Sequence, residues 1–431
     1  MEGLDEKALP PGPFRGVPFF LKDLGAAEKG RKQECGSRLL EGSKADDDAF
    51  LTVKFRQVGL NILGRTTCPE FGFTITTESV LWGQTRNPWR ITHTPGGSSG
   101  GAAACVSAGV APIAHATDGA GSIRVPASAC GLVGLKPSRG RISLGPYDND
   151  ITDCRAVKGF LTRTVRDTAA MLDACHGAFP GEAFVISPPA MPYLSQVNAP
   201  LRKMRISLSL EPWGPFHPQP EIADQVRSIA SLCEDMGHEV VEATPPIDFS
   251  RFYETFRDEY IVKLPSSLDA AARRMKRAVT PETVESILMK AYGRAARMSA
   301  ADHLECLSMM NVVTRQVGTF FEEFDLLLTP TLAVPPPVLG THSTHQTDMS
   351  LDEFFALFFS ANPYTPLCNF TGIPAISLPL GQTADGLPVG VQFAEPFGLE
   401  ARLIRMASAL ENARPWSDRL PAVHVGRAAA A

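Results

Sequence analysis

The sequence predicts an α/β fold, one large domain whose mixed central β-sheet is sandwiched by α-helices. Three observations lead there. Short strand-like runs alternate with helical patterns along the chain. No Pro/Gly-rich boundary separates two composition regimes, and there is neither an internal repeat nor a low-complexity linker. The 431 residues, 44% apolar and 20% charged, are enough to bury a large core.

In chain order, Pro10-Pro11-Gly12-Pro13 reads as an irregular opening, and 16–24 is an apolar stretch with one lysine, Lys22, inside it. Residues 46–58 have a helical pattern, and 60–65 read as a short buried strand. A loop rich in Gly, Pro, Ser, Thr and Asn fills 83–101. Small residues at 102–110 suit a tightly packed helix, 111–117 a strand, and 123–130 a helix that starts directly after a Gly-Ser turn. Residues 166–174 form an amphipathic helix pattern, 204–210 a strand, 221–236 a helix and 238–242 a strand. From about 250 to 324 the pattern is mainly helical without a clear strand, an excursion that could cap the sheet. Buried strands are expected at 325–329, 375–380 and 389–393, with a turn at Asp385-Gly386 and a closing helix at 400–411.

Charge and cysteine usage narrow the function classes. With 41 basic and 46 acidic residues the net charge is −5, and no Lys/Arg run offers a phosphate-binding surface, so nucleic-acid binding is not expected. Nine cysteines, none spaced as C-x-x-C, read as reduced thiols rather than a disulfide frame or a zinc site. No metal or organic cofactor is expected. The first twenty residues lack a basic start followed by an apolar run. The longest uncharged stretches, 96–117 and 326–347, are broken by Gly, Ser, His and Pro, so no membrane association is expected and the cytoplasm is the default location.

Two segments carry the chemistry, Thr94-Pro95-Gly96-Gly97-Ser98-Ser99-Gly100-Gly101 and Thr117-Asp118-Gly119-Ala120-Gly121-Ser122-Ile123-Arg124. Each places a serine after glycines and near a helix start. Glycines allow backbone N–H groups to converge on one space, and a helix N-terminus adds partial positive charge, which suits an oxyanion hole for acyl transfer. A serine hydroxyl needs a base. None of the nine histidines sits in a pattern that marks a general base, whereas burial would lower the pKa of Lys22 and let it accept a proton near neutral pH. The first segment also matches the G-x-S-x-G nucleophile elbow, but residues 90–95 do not read as the buried strand that motif requires, and the phosphate-loop signature is absent.

These segments resemble the amidase signature family. The likeness extends through Arg86-Asn87-Pro88-Trp89, Cys130-Gly131-Leu132-Val133-Gly134-Leu135-Lys136-Pro137, Thr162-Arg163-Thr164-Val165-Arg166-Asp167 and Gly386-Leu387-Pro388-Val389-Gly390-Val391-Gln392, in family order. The resemblance implies a Ser-Ser-Lys triad: Ser122 as nucleophile, Ser98, after a cis peptide following Gly97, passing the proton, and Lys22 as base. The N–H groups of Gly119, Ala120, Gly121 and Ser122 would form the oxyanion hole, with Asp118 and Arg124 paired to hold the loop. Ala120 stands where the family usually has glycine, Thr67 and Arg65 replace its usual asparagine and lysine, and 21 residues precede Lys22 where several tens are usual. His342 and His345 read as loop histidines, and Cys130 and Cys368 as packing residues. Tyr364 and Asn369 are within the region that could reach substrate, without an assigned role.

Within the family, Ala127-Ser128-Ala129-Cys130-Gly131, Pro137-Ser138-Arg139-Gly140-Arg141 and 159–173 are most similar to the branch that opens cyclic nylon oligomers, whose relatives also cleave urethanes and aryl amides. The implied substrate is a small linear or cyclic amide or a carbamate. Two other readings follow from the same residues: the glutaminase subunit of a tRNA-dependent amidotransferase, and a catalytically inactive binding protein. A homodimer is the family-level expectation.

Overall fold

The structure, a computed structural model, describes residues 11–149 and 155–427; Pro10 of the irregular opening and Cys154 lie outside them. Twelve strands are described: β1 (Pro18–Lys22), β2 (Asn61–Thr66), β3 (Glu78–Ser79), β4 (Gly83–Gln84), β5 (Ile113–Asp118), β6 (Val133–Lys136), β7 (Val157–Thr162), β8 (Arg205–Leu208), β9 (Glu239–Glu242), β10 (Leu326–Pro330), β11 (Ala375–Gln382) and β12 (Pro388–Ala394). Ten of them build one sheet in the order β2-β1-β5-β7-β6-β11-β12-β10-β8-β9, while β3 and β4 pair separately. The large sheet is mixed: β1 runs parallel to β2 and β5, whereas β5/β7, β6/β7, β6/β11 and β11/β12 are antiparallel.

The α-helices are α1 (Phe50–Gln57), α2 (Gly100–Ser107), α3 (Arg124–Cys130), α4 (Val165–Cys175), α5 (Pro220–Asp235), α6 (Phe249–Ile261), α7 (Leu264–Met275), α8 (Ser286–Ala295), α9 (Ala300–Glu323), α10 (Leu351–Ala361), α11 (Thr365–Thr371) and α12 (Glu400–Ala413). Capping boxes start α9 at Ser299/Asp302 and α10 at Ser350/Glu353, satisfying N–H groups that a helix leaves open at its start. The helix expected at 46–58 begins only at Phe50. Before it, Asp48 accepts the Lys29 N–H at 2.8 Å and Ala45 is bridged to Lys29, so this stretch is tied to the chain beside it. Strands β6 and β7 were not anticipated because every residue in them is buried, which erases the alternation that marks a half-exposed strand.

Two-residue periodicity divides the sheet into two faces. Phe19, Leu21, Ile113 and Phe160 join the core on the side of α4, α5 and α12. Phe20, Ala114, Ala116 and Leu161 have the other parity and pack on Ala102, Ala103 and Val106 of α2 and on Ile123, Ala127 and Cys130 of α3. The small side chains bring these two helices close to the sheet. Lys22 has the parity of Phe20, and Asp118 that of Ala116, so both point to the α2/α3 side where β1 and β5 end side by side. Helices α6 to α11 pack around Phe252, Phe256, Phe354 and Trp213 in a second core that walls the same end of the sheet. Among the described residues no helix is long and apolar enough to cross a membrane, and the eight described cysteines are free thiols.

Candidate active site

Lys22 closes β1 and is completely buried. Its Nζ lies 2.8 Å from Ser98 Oγ, 2.9 Å from Ser99 Oγ and 2.8 Å from Thr117 Oγ1. Among the described residues it has no ion-pair partner. Burial pushes its pKa down from 10.5 to about 8, against smaller opposing effects of Cys68, Asp118 and Cys35. Ser99 Oγ donates to the Thr117 carbonyl at 3.2 Å, so toward Lys22 it serves as acceptor. A neutral lysine keeps two N–H donors and one lone pair. Ser99 and Thr117 can take the two donors, which leaves the lone pair for the Ser98 hydroxyl proton.

Ser98 sits on a tight backbone. The Gly97–Ser98 peptide is cis, and a Cβ on Gly97 would lie 2.2 Å from the Thr76 carbonyl oxygen, so no larger residue fits there. No strand precedes Ser98, which removes the nucleophile-elbow geometry. Ser98 and Ser122 line one cavity of about 220 Å³ together with Gly119, Thr117, Phe71, Gly72, Leu144, Arg155, Tyr260, Lys263 and Leu264. Ser122 is 8% exposed and its hydroxyl has no hydrogen-bond partner among the described residues.

The loop from Asp118 to Ser122 is braced at almost every peptide. Asp118 accepts from the N–H groups of Gly121 (2.7 Å) and Ile123 (3.1 Å) and from Arg124 Nε and Nη2 at 3.0 and 2.9 Å. Asp118 and Arg124 are both fully buried. Burial alone would raise the Asp118 pKa, but the Arg124 guanidinium and these hydrogen bonds hold the carboxyl well below its usual range. Arg124 Nη1 also donates to Thr365 O and Gln392 Oε1 at 2.9 and 2.7 Å. Asn369 donates to Asp118 Oδ1 at 2.9 Å and to the Arg155 carbonyl at 3.0 Å. The Ala120 carbonyl accepts from Asn362 Nδ2 (2.8 Å) and Thr365 Oγ1 (2.7 Å). Gly121 adopts φ +115, and a Cβ there would meet Thr365 Oγ1 at 2.2 Å.

This corrects one expectation. The resemblance implies Gly121 as one of four oxyanion donors, but its N–H is taken by Asp118. The N–H groups of Gly119, Ala120 and Ser122 donate to no acceptor among the described residues, and these three remain available to a substrate oxygen. Ala120 has a negative φ, so its methyl is accommodated without backbone strain.

Several neighbours carried no signal in the sequence. Ser99 and Thr117 lay in the quoted segments but had no role until the fold placed them against Lys22. Asn369, Asn362 and Thr365 hold the loop and do not line the cavity, and Tyr364 is buried with its hydroxyl unpartnered among the described residues and its ring edge-on to Trp213. Lys136, in the quoted Leu135-Lys136-Pro137, is a second fully buried lysine, pushed down to about 7 by burial and by Arg124. His342 is buried and lies outside the cavity lining, with Nε2 3.3 Å from the Leu357 carbonyl. Cys130 and Cys368 are buried packing residues, as expected. Among the described residues no cluster of His, Cys, Asp or Glu has the arrangement of a metal site.

Comparison with known proteins identifies similar chains and folds. Residues 2–404 match the family described as Amidase. A 6-aminohexanoate-cyclic-dimer hydrolase of Paenarthrobacter ureafaciens is 36% identical over 429 residues, spanning 96% of this chain and 86% of that protein. The solved structure of 6-aminohexanoate cyclic dimer hydrolase complexed with substrate superposes with a TM-score of 0.90 at 33% identity, covering 97% of this chain and 89% of the other. A bacterial aryl acylamidase of the amidase signature enzymes superposes with a TM-score of 0.85 at 28% identity, covering 97% and 86%.

Proposed function

The chain belongs to the amidase signature family of hydrolases acting on amide bonds, and on that premise we propose that Ser122 cleaves a small linear or cyclic amide through an acyl-enzyme. Neutral Lys22 takes the Ser98 proton as Ser98 takes that of Ser122, and Ser122 Oγ bonds to the carbonyl carbon. The carbonyl oxygen, now negative, is held by the N–H groups of Gly119, Ala120 and Ser122. The carbon–nitrogen bond then breaks, and the relay returns the proton to the departing amine. Water enters along the same path, loses its proton to the relay and releases the acid.

The observation that carries this reading is Lys22 itself: a buried lysine with no acidic partner among the described residues, 2.8 Å from Ser98 Oγ, beside the cavity that Ser98 shares with Ser122. Burying a lysine without a counter-charge costs stability and favours its neutral form, so such a group beside a cavity points to a functional role. Ser98 and Ser122 make no hydrogen bond to each other here, and such contacts commonly tighten only when substrate is bound. For substrate class, the cavity combines apolar walls from Leu24, Phe71, Phe73, Leu144 and Leu264 with the hydroxyls of Ser98, Thr117 and Ser122 and with the charged Asp148, Arg155, Lys158 and Lys263. This suits an aliphatic or aryl amide, and the resemblance to hydrolases of 6-aminohexanoate cyclic dimer makes that dimer the first compound to assay.

The test is labelling with a fluorophosphonate between about pH 6 and 10, with the adduct located by peptide mass spectrometry in the parent chain and in Lys22→Ala, Ser98→Ala and Ser122→Ala. An adduct on Ser122 that is lost in Ser122→Ala and slowed strongly in the other two is expected. An adduct on Ser98 refutes the assignment of roles. No adduct at all supports the binding-protein reading, and release of ammonia from glutamine in preference to other amides supports the amidotransferase reading.

A further inference from the structure

The loop that holds Ser122 is braced by three kinds of group. Asp118, Arg124, Asn362, Thr365 and Asn369 lie beneath it, and the Val125 N–H donates to the Gly121 carbonyl at 2.7 Å. The Gly119 carbonyl is different, because its partner comes from the cavity wall. Arg155 Nη1 donates to it at 3.3 Å, and a Cβ built on Gly119 would lie 3.3 Å from the same nitrogen. Arg155 follows no family motif quoted above. It is 5% exposed, lines the cavity and is fixed on two sides. Its Nε is paired with the Glu259 carboxylate, and its guanidinium carbon lies 4.5 Å from the centroid of the Tyr260 ring, both residues of α6.

This contact acts on the peptide that joins Gly119 to Ala120. That peptide is trans, so its C=O and N–H point in opposite directions. Fixing the Gly119 oxygen therefore fixes the direction of the Ala120 N–H, one of the three donors left to a substrate oxygen. A charged donor on the carbonyl also polarises the peptide and strengthens its N–H as a donor.

We propose that Arg155, held by Glu259 and stacked on Tyr260, is a positioning residue that orients the Gly119–Ala120 peptide for transition-state stabilisation. This rests on the reading of Ser122 as nucleophile. Its consequence is that α6, part of the helical wall, acts on the chemistry as well as on substrate shape. A substrate pressed against Tyr260 bears on the residue that aims an oxyanion donor.

The experiment uses the full chain and Arg155→Gln, Arg155→Lys, Arg155→Ala and Glu259→Gln. Intact sites are counted by the end-point of fluorophosphonate labelling at Ser122. Hydrolysis of para-nitrophenyl acetate and of a para-nitroanilide is then measured per labelled site. Inhibition by an aldehyde that adds reversibly to the serine is measured in parallel. Removing one oxyanion donor typically costs about 100- to 1000-fold in kcat, so misaiming one should cost about 10- to 100-fold in Arg155→Gln, with KM within about twofold. Aldehyde affinity should fall with kcat, Arg155→Lys should recover part of the loss, and methylguanidinium should partly restore Arg155→Ala. Glu259→Gln should fall between parent and Arg155→Gln. A purely structural role would lower the number of labelled sites and leave kcat per site unchanged, which overturns the proposal. A rise in KM at constant kcat overturns it too, since Arg155 would then only bind substrate. Absence of a Ser122 adduct in the parent chain refutes the underlying reading, and it is seen before any variant is compared.

Discussion

The burial of Lys22 makes its proton the variable on which activity should turn. With a pKa of about 8, about a tenth of the protein carries neutral Lys22 at pH 7, half at pH 8 and about nine-tenths at pH 9. With an uncharged substrate, kcat/KM should therefore rise about tenfold between pH 7 and 9 and level off above that. A lysine at its ordinary value of 10.5 would give a rise of about a hundredfold over the same interval with no plateau. Thr117→Val sharpens the test. It removes an acceptor 2.8 Å from Nζ while keeping side-chain volume. Hydrogen bonds to a charged group exceed those to a neutral one by about 1 kcal/mol, so the loss disfavours the ammonium form, and the rising limb should move down by about half to one pH unit. The assay is initial-rate kinetics on a neutral aryl amide in a constant-ionic-strength buffer series, with intact sites counted by labelling. A hundredfold climb without a plateau would refute the lowered pKa. A flat profile, or no displacement of the limb in Thr117→Val together with full activity in Lys22→Ala, would refute the lysine as base.

Three other outcomes are expected. Gly121→Ala should lose most activity and about 2 kcal/mol of stability, because φ +115 strains alanine and its Cβ would displace Thr365 from the Ala120 carbonyl; labelling rate and thermal midpoint check this. Arg124→Met leaves Asp118 buried without its counter-charge and should destabilise the protein by about 3–5 kcal/mol in denaturant unfolding, with loss of activity from the slackened loop. Glu70 is fully buried, and burial together with the neighbouring Glu285 carboxylate raises its pKa from 4.5 to about 8. The folded state thus holds a proton that the unfolded chain releases, so this group's contribution falls as pH rises from about 4.5 to 8. Glu70→Gln should make the decline of the thermal midpoint over that window shallower, and an unchanged slope would refute the shift.

Much of the site could be read from the chain because its requirements are local. Gly97 and Gly121 stand where a Cβ would strike backbone or Thr365, and Ser98 and Ser122 directly follow them, so the glycine-serine pattern records backbone conformation that only those residues allow. The Asp118/Arg124 pair was likewise legible, being six residues apart around one turn. Helices with a polar face, such as α4, α5 and α12, were found within a residue or two at most boundaries. Strands β6 and β7 and helix α11 were not, since burial on every side leaves no periodic polar face to detect.

By itself, then, the sequence singled out the residues proposed to react: two serines set among glycines and one lysine in an apolar segment. Tertiary structure alone decided what each could do. The parity of β1 turns Lys22 toward Ser98, 76 residues away, and burial at that point lowers its pKa. Asp118 takes the Gly121 N–H, which leaves those of Gly119, Ala120 and Ser122 for the proposed oxyanion hole. Arg155 reaches the Gly119 carbonyl while paired with Glu259, 104 residues further on. The physical reason is the same in each case. Backbone conformation is written in neighbouring residues, whereas desolvation, hydrogen-bond partners and peptide orientation depend on groups that only the packed sheet and helices bring within a few ångströms.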